Sequence, residues 1–155
     1  MAVTVSPLTP DDAPAWAAMR RELGVEWIID NIDAMVASYL ATGTIDHLPH
    51  VVLIAKDDAG SVGFAEVSLR QFAEGCETSP VGYLEGWFVA KRTRGSGVGR
   101  ALVDAGVAWA RERGCREFAS DAELHNAASL AAHEKLGFDP VCDIRCFRKL
   151  ITDAD

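Results

Sequence analysis

The chain holds only four cysteines, Cys76, Cys115, Cys142 and Cys146, and no two of them form a C-x-x-C pair. That spacing gives no support to structural zinc or to thioredoxin-like redox chemistry, and the four read as unpaired cytosolic thiols. No apolar run approaches the length of a membrane span. The first residues also lack a charged start followed by an apolar core. The expectation is a cytoplasmic protein with no membrane partner. Positive charge is scarce: 15 Lys and Arg stand against 23 Asp and Glu, for a net charge of −8 and a pI near 4.9. Nucleic acid is thereby disfavoured as a partner, because phosphate contacts need a basic face. A cationic ligand would be drawn in, although the same balance fits many acidic soluble proteins. There is no internal repeat, low-complexity tract or linker. His47 and His50 fall in a Leu-Pro-containing loop rather than on one helix face, so no metal site is expected.

What is present suits a single domain over residues 1–155, with 49% apolar and 25% charged residues. Val3 to Ser6 reads as a strand. Thr9-Pro10-Asp11-Asp12 is a helix start, with Thr9 as N-cap and Pro10 at the first helical position, and the helix runs to about Leu23. Ile32, Met35, Val36, Tyr39 and Leu40 recur at helical period before Gly43. Val51–Ala55 and Val62–Leu69 flank the turn Asp57-Asp-Ala-Gly60 as a hairpin. Tyr83–Val89 is the next strand. A helix with Val98, Leu102, Ala105 and Trp109 on one face then ends at Gly114. Glu117–Ser120 is a short strand, Asn126 caps a last helix ending at Gly137, and Phe138–Leu150 reads as two closing strands. This order predicts a mixed α/β sheet rather than a regular βαβ array.

The most informative stretch is Gly82-Tyr-Leu-Glu-Gly-Trp-Phe-Val89 followed by Arg94-Gly-Ser-Gly-Val-Gly-Arg100. A strand enters a glycine turn that opens into a helix, which is a seat for a phosphate or pyrophosphate. A P-loop would need Lys-Ser or Lys-Thr after Gly99, where Arg100-Ala101 stands. A dinucleotide fingerprint would need a third glycine at Arg100 or Leu102, although Asp121 lies near the right distance. The remaining pattern, R-x-x-G-x-G, is filled by Arg94, Gly97 and Gly99.

With Asn126, Ser129 and the ending His133-Glu-Lys-Leu-Gly-Phe138, this turn resembles the GCN5-related N-acetyltransferases. The resemblance implies an α/β fold of mixed α+β character. Its sheet is mostly antiparallel, with a central splayed parallel pair, and is flanked by about four helices. It also implies acetyl-CoA as co-substrate, its pyrophosphate at Arg94, Gly95, Ser96, Gly97, Gly99 and Arg100. Pantetheine would meet the backbone around Trp87 and Val89, with Asn126 and His133 also facing the cofactor. Gly63–Arg70, Gly82–Val89 and Glu117–Asp121 further resemble the aminoglycoside 6′-N-acetyltransferases, whose substrate is a cationic amine and whose relatives are often homodimers. Near the end of the first helix, where that family often has Leu-Trp-Pro, this chain reads Leu23-Gly24-Val25-Glu26-Trp27. Trp27 and Glu77 are candidates for the substrate cleft.

Acetyl transfer needs an acceptor for the amine proton, a donor for the developing oxyanion and a proton for the leaving thiolate. By period two, Glu85 shares a sheet face with Trp87 and Val89. A carboxylate there either pairs with an arginine such as Arg70 or anchors a substrate ammonium. Asp121 is a loop aspartate or a second carboxylate at the amine. His133 stands where many relatives carry a tyrosine proposed as general acid, and it either donates a proton or packs against the cofactor. Acetylation of a different amine, or of a protein N-terminus, and non-catalytic acyl-CoA binding remain alternatives.

Overall fold

The computed structural model describes residues 2–24 and 31–151. Its elements are β1 (Thr4–Pro7), α1 (Ala13–Leu23), α2 (Ile32–Thr42), β2 (Thr44–Ile45), β3 (Leu48–Asp57), β4 (Gly60–Arg70), β5 (Val81–Val89), α3 (Val98–Glu112), β6 (Phe118–Ser120) and α4 (Ala127–Lys135). The sheet runs β1-β3-β4-β5-β6, with β2 beside β3. All pairings are antiparallel except β5 with β6, which α3 connects. The expected mixed sheet with one parallel pair and four α-helices is therefore present.

Local chemistry sets the boundaries. Thr9 and Asp12 close a capping box: the Thr9 amide donates to the Asp12 carboxylate at 3.0 Å and its hydroxyl does so at 2.8 Å. The first turn is a 3₁₀ turn over Pro10–Asp12, and α1 proper begins at Ala13. Gly24 and Gly43 end α1 and α2 in the left-handed conformation that glycine adopts without strain.

Two apolar layers cover the sheet. On one face α3 presses Val98, Leu102 and Val103 against Val51, Leu53, Ala65, Val67 and Leu84. On the other, Trp16 and Met19 of α1 pack with Val52, Ile54, Phe64 and Phe88. The face of α3 is turned slightly from the expected one: Gly106 and Ala110 are buried, while Ala105 and Trp109 are half-buried. The second layer contains one buried ion pair. Arg20 Nε lies 3.2 Å from Glu66 Oε1, which also accepts from Trp16 Nε1 at 2.9 Å. Burial raises the Glu66 pKa, opposed by Arg20 and the indole N–H.

Two expectations are corrected, and one strand was not foreseen. His50 lies within β3, not a loop, because pairing with β4 starts at His50↔Ser68. The strand β2, only two residues long, carries no periodic signal. The closing strands over Phe138–Leu150 do not form: no residue from 138 to 151 has regular secondary structure, and those from Asp139 onward are exposed. A period-two pattern makes a strand only when an edge is available to receive it.

Gly82 shows how closely α3 lies on the sheet. A Cβ there would fall 2.5 Å from Ala110 Cβ and 2.8 Å from Phe118 Cδ2. Gly82→Ala should destabilise the fold by about 1–3 kcal/mol through overpacking. Urea unfolding measures it, and an unchanged midpoint would contradict this packing.

Candidate active site

The site is organised by a bulge in β5. Glu66 pairs with Gly86 and Val67 with Leu84, so Glu85 has no partner across the ladder. An extra residue reverses the alternation of everything beyond it. Leu84, Trp87 and Val89 accordingly belong to the layer under α3. Glu85 instead turns to the opposite face, to Ser68 and Arg70. This corrects the period-two placement of Glu85 beside Trp87 and Val89. Gly86 makes the arrangement possible, since a Cβ there would meet Glu66 Oε2 at 3.2 Å and Arg20 Nη1 at 3.4 Å.

Glu85 is fully engaged. Its Oε1 accepts from Ser68 Oγ at 2.6 Å and Arg70 Nε at 2.8 Å, and its Oε2 accepts from Arg70 Nη2 at 2.7 Å. The pairing with Arg70 considered from the sequence thus forms, as a bidentate fork. Burial alone would raise the Glu85 pKa, but the Arg70 and Ser68 bonds outweigh it and hold the carboxyl below its ordinary value. The same guanidinium carbon lies 3.6 Å from the centre of the Tyr83 ring. Tyr83 is close enough to Asp121 to feel its charge. Burial first, and then Asp121, push the Tyr83 pKa well up. His50 is close enough to feel the Glu85 charge, although burial lowers its pKa overall. Glu85 and Asp121, both expected at the site, are thus bridged by Arg70 and Tyr83. Sequence reasoning did not assign Tyr83 a role; its period-two spacing from Glu85 was the available signal.

Beside this cluster the sheet opens. Parallel pairing runs through Gly82↔Phe118, Tyr83↔Ala119 and Leu84↔Ser120 and stops there. β5 continues to Val89 without β6, leaving that side of its backbone for an extended ligand. The glycine turn follows. Gly95 and Gly97 have φ of 80° and 90°, and nothing lies within 4 Å of a Cβ built on either. Among the described residues, no protein acceptor serves the N–H of Gly95, Gly97 or the first residues of α3. This open nest of donors at a helix start fits a phosphate group. The side chains expected to assist are braced within the protein. Arg94 Nε donates to the Val89 carbonyl at 3.0 Å, Ser96 Oγ to that of Thr93 at 2.6 Å, and Arg100 Nη2 to that of Lys135 at 2.6 Å. What the turn offers is backbone. Gly99 is needed for another reason, because a Cβ there would lie 2.9 Å from Trp87 Cζ3.

Helix α4 brings up the remaining groups. Asn126 caps it, accepting from Ser129 N at 3.1 Å. The His133 ring packs edge-on against Trp87 and Phe138, with centroids 5.9 and 5.2 Å away. Its Nδ1 is 2.7 Å from the Ser129 carbonyl and its Nε2 is 2.9 Å from Ser120 Oγ. Glu77 is exposed in the β4–β5 loop, its amide held by Glu117 at 2.9 Å. Trp27 lies outside the described residues. Among those described, no cluster of three metal-ligating side chains occurs, and no helix is long and apolar enough to cross a membrane.

The depressed Glu85 pKa has a stability consequence. The Arg70–Glu85 contribution is present above the ordinary carboxylate value of 4.5 and is lost as pH falls through the lower folded value. In urea unfolding, the advantage of wild type over Arg70→Met should hold at neutral pH and shrink below about pH 4.5. An advantage unchanged down to about pH 3 would contradict the pairing.

Comparison with known proteins agrees with this geometry. The sequence profile of the acetyltransferase (GNAT) family matches residues 16–138. An aminoglycoside N(6′)-acetyltransferase type 1 of Klebsiella aerogenes is 42% identical over 145 residues, covering 94% of this chain and 95% of that protein. One of Stenotrophomonas maltophilia is 43% identical over 148 residues, covering 95% and 93%. Among solved structures, AAC(6′)-Iy in complex with the bisubstrate analog CoA-S-monomethyl-acetylneamine superposes with a TM-score of 0.87 at 32% identity, over 97% of this chain and 100% of that one. Apo AAC(6′)-Ig from Acinetobacter haemolyticus gives 0.84 at 33%, over 96% and 99%. With the open nest, the parted strands and the paired carboxylates in place, the chain belongs to the acetyltransferase (GNAT) family.

Proposed function

We propose that this chain is an acetyl-CoA-dependent aminoglycoside 6′-N-acetyltransferase that transfers the acetyl group directly within a ternary complex. One observation carries the reading: the Glu85–Arg70–Tyr83–Asp121 cluster lies beside the point where β5 and β6 part, next to the open glycine turn. That places carboxylates for a cationic amine beside a seat for an acyl carrier. The product amide loses the ammonium charge through which such drugs grip ribosomal RNA, so the activity confers resistance. A cytoplasmic location suits both acetyl-CoA and the ribosomal target.

Each residue has a role under this reading. The nest from Arg94 to Gly99 and the first turn of α3 hold the pyrophosphate through backbone N–H groups. The free edge of Glu85–Val89 holds the extended arm of the carrier, whose thioester supplies the acetyl group. A backbone N–H near Val89 faces the thioester oxygen. Asp121 takes the amine proton, because Glu85 already accepts three hydrogen bonds and is neutralised by Arg70. Glu85 acts as an anchor that keeps the pocket polar, and Tyr83 orients Asp121. Trp27 and Glu77 belong to the substrate-covering segments.

A homodimer accompanies this proposal. Phe147 and Ile151 are 88% and 94% exposed, and Val141, Ile144 and Leu150 are also exposed. Among the described residues no backbone hydrogen bond is made by residues 139–151. An extended apolar arm with an unpaired backbone is costly in water and suits the edge of a second copy. Light scattering should give twice the chain mass, and Phe147→Glu with Ile151→Glu should shift it to monomer. A wild-type monomer would overturn the dimer.

Steady-state acetylation of several aminoglycosides, one of them lacking the 6′-amine, tests the function. Turnover is expected only with a 6′-amine. Asp121→Asn should lower kcat by about 10²–10⁴ with acetyl-CoA binding retained. Gly97→Val should weaken acetyl-CoA binding while leaving the aminoglycoside affinity unchanged, since a side chain at φ of 90° is strained and intrudes on the nest. Turnover of an aminoglycoside without the 6′-amine, or full activity in Asp121→Asn, would overturn the assignment.

A further inference from the structure

The His133 contacts fix where its protons lie. Nδ1 faces the Ser129 carbonyl at 2.7 Å, and a carbonyl only accepts, so Nδ1 carries a hydrogen. In the neutral ring Nε2 is then a bare acceptor, and the Ser120 hydroxyl 2.9 Å away must donate to it. In the protonated ring Nε2–H donates to Ser120 Oγ. The Ser120 hydroxyl then swings to its other partner, the Leu84 carbonyl at 3.2 Å. The Ser120 proton thus has two settings, selected by the charge on His133.

Its position gives this switch a use. Leu84↔Ser120 is the last pair before β5 and β6 part. Ser120 is half-exposed there, and Asp121 is its neighbour. Successive strand residues point to opposite faces. Asp121 turns to Tyr83 and the acidic cluster, whereas Ser120 turns to α4 and His133. The end of β6 therefore presents a proton acceptor on one side and a donor chain on the other. His133 has both nitrogens occupied within the protein, which leaves Ser120 as its outlet.

We propose that Ser120 delivers the proton to the leaving sulfur, and that His133 acts through it as the proton source. The inference rests on the acetyl-transfer reading above. As the C–N bond forms and the C–S bond breaks, the amine loses a proton to Asp121. Ser120 O–H gives its proton to the thiolate and takes one from Nε2–H of the imidazolium. The products are an amide, a thiol, protonated Asp121 and neutral His133; solvent takes the proton from Asp121 and returns one to His133 before the next turnover.

Two measurements test this on the whole protein. Nitrogen NMR of the ligand-free protein should find neutral His133 as the Nδ1–H tautomer, and the Nε2–H tautomer would overturn the relay. In kinetics, Ser120→Ala should lower kcat on the order of 10²-fold with both KM values unchanged. Ser120→Thr, which keeps the hydroxyl, should restore most of the rate. Slow thiol release from acetyl-CoA to water, without an aminoglycoside, reports the same leaving step. A wild type that acetylates no aminoglycoside, with hydrolysis that falls in Ser120→Ala, would overturn the substrate and keep the relay. Wild-type kcat and hydrolysis in Ser120→Ala would overturn the relay.

Discussion

One extra residue in β5 governs the geometry of the molecule. Without the bulge at Glu85, Trp87 and Val89 would fall on the same face as Glu85 and leave the layer under α3, where Leu84, Leu102 and Val67 lie. With it, Glu85 stays on the face that carries Ser68 and Arg70, while Trp87 moves to the face where Gly99 and His133 wait. Bulges also increase local twist, and the neighbouring strand β6 stops pairing one residue earlier, at Leu84. Reversed side chains and parted strands both occur at this position, which joins an acidic pocket to an open backbone edge.

Arg70 is the electrostatic centre of that pocket. Its fork satisfies Glu85, and its plane covers the Tyr83 ring. Tyr83 carries the arrangement on to Asp121. One cation thus fixes two carboxylates in different states: Glu85 is saturated and ionised, and Asp121 is exposed and available. Under the proposed reading, a site for a polycation gains from both: Glu85 would contribute shape and polarity, and Asp121 the proton acceptor. Beneath it the buried Arg20–Glu66 pair ties α1 to β4 opposite Gly86.

Much of this was legible in the sequence where a local signal suffices. The helix start near Thr9–Asp12, the glycine stops at 43, 114 and 137, and the turn at Gly95–Gly99 depend on neighbours a few residues away, and they stand as expected. Glu85, Asp121 and His133 do lie near the strand opening. The bulge was not legible, because it is a mismatch between two strand lengths and leaves no mark in the period of either. Ser120 escaped notice because a serine beside an aspartate is commonplace; only the placement of α4 gives it a partner. The arm from Asp139 onward failed differently. Its alternation is real, but a strand also needs an edge, and none of the described elements receives it.

The account makes one claim above others: the parted strands separate amine chemistry from thiol chemistry across the end of β6. A crystal structure of the protein with coenzyme A and an aminoglycoside tests it most directly. The account places the pyrophosphate on the N–H groups of the Gly95–Gly99 turn and the sulfur between the Glu85–Val89 edge and Ser120. The 6′-amine should lie within hydrogen-bond distance of Asp121. A sulfur remote from Ser120, or an amine held on the α4 side of β6, would contradict it.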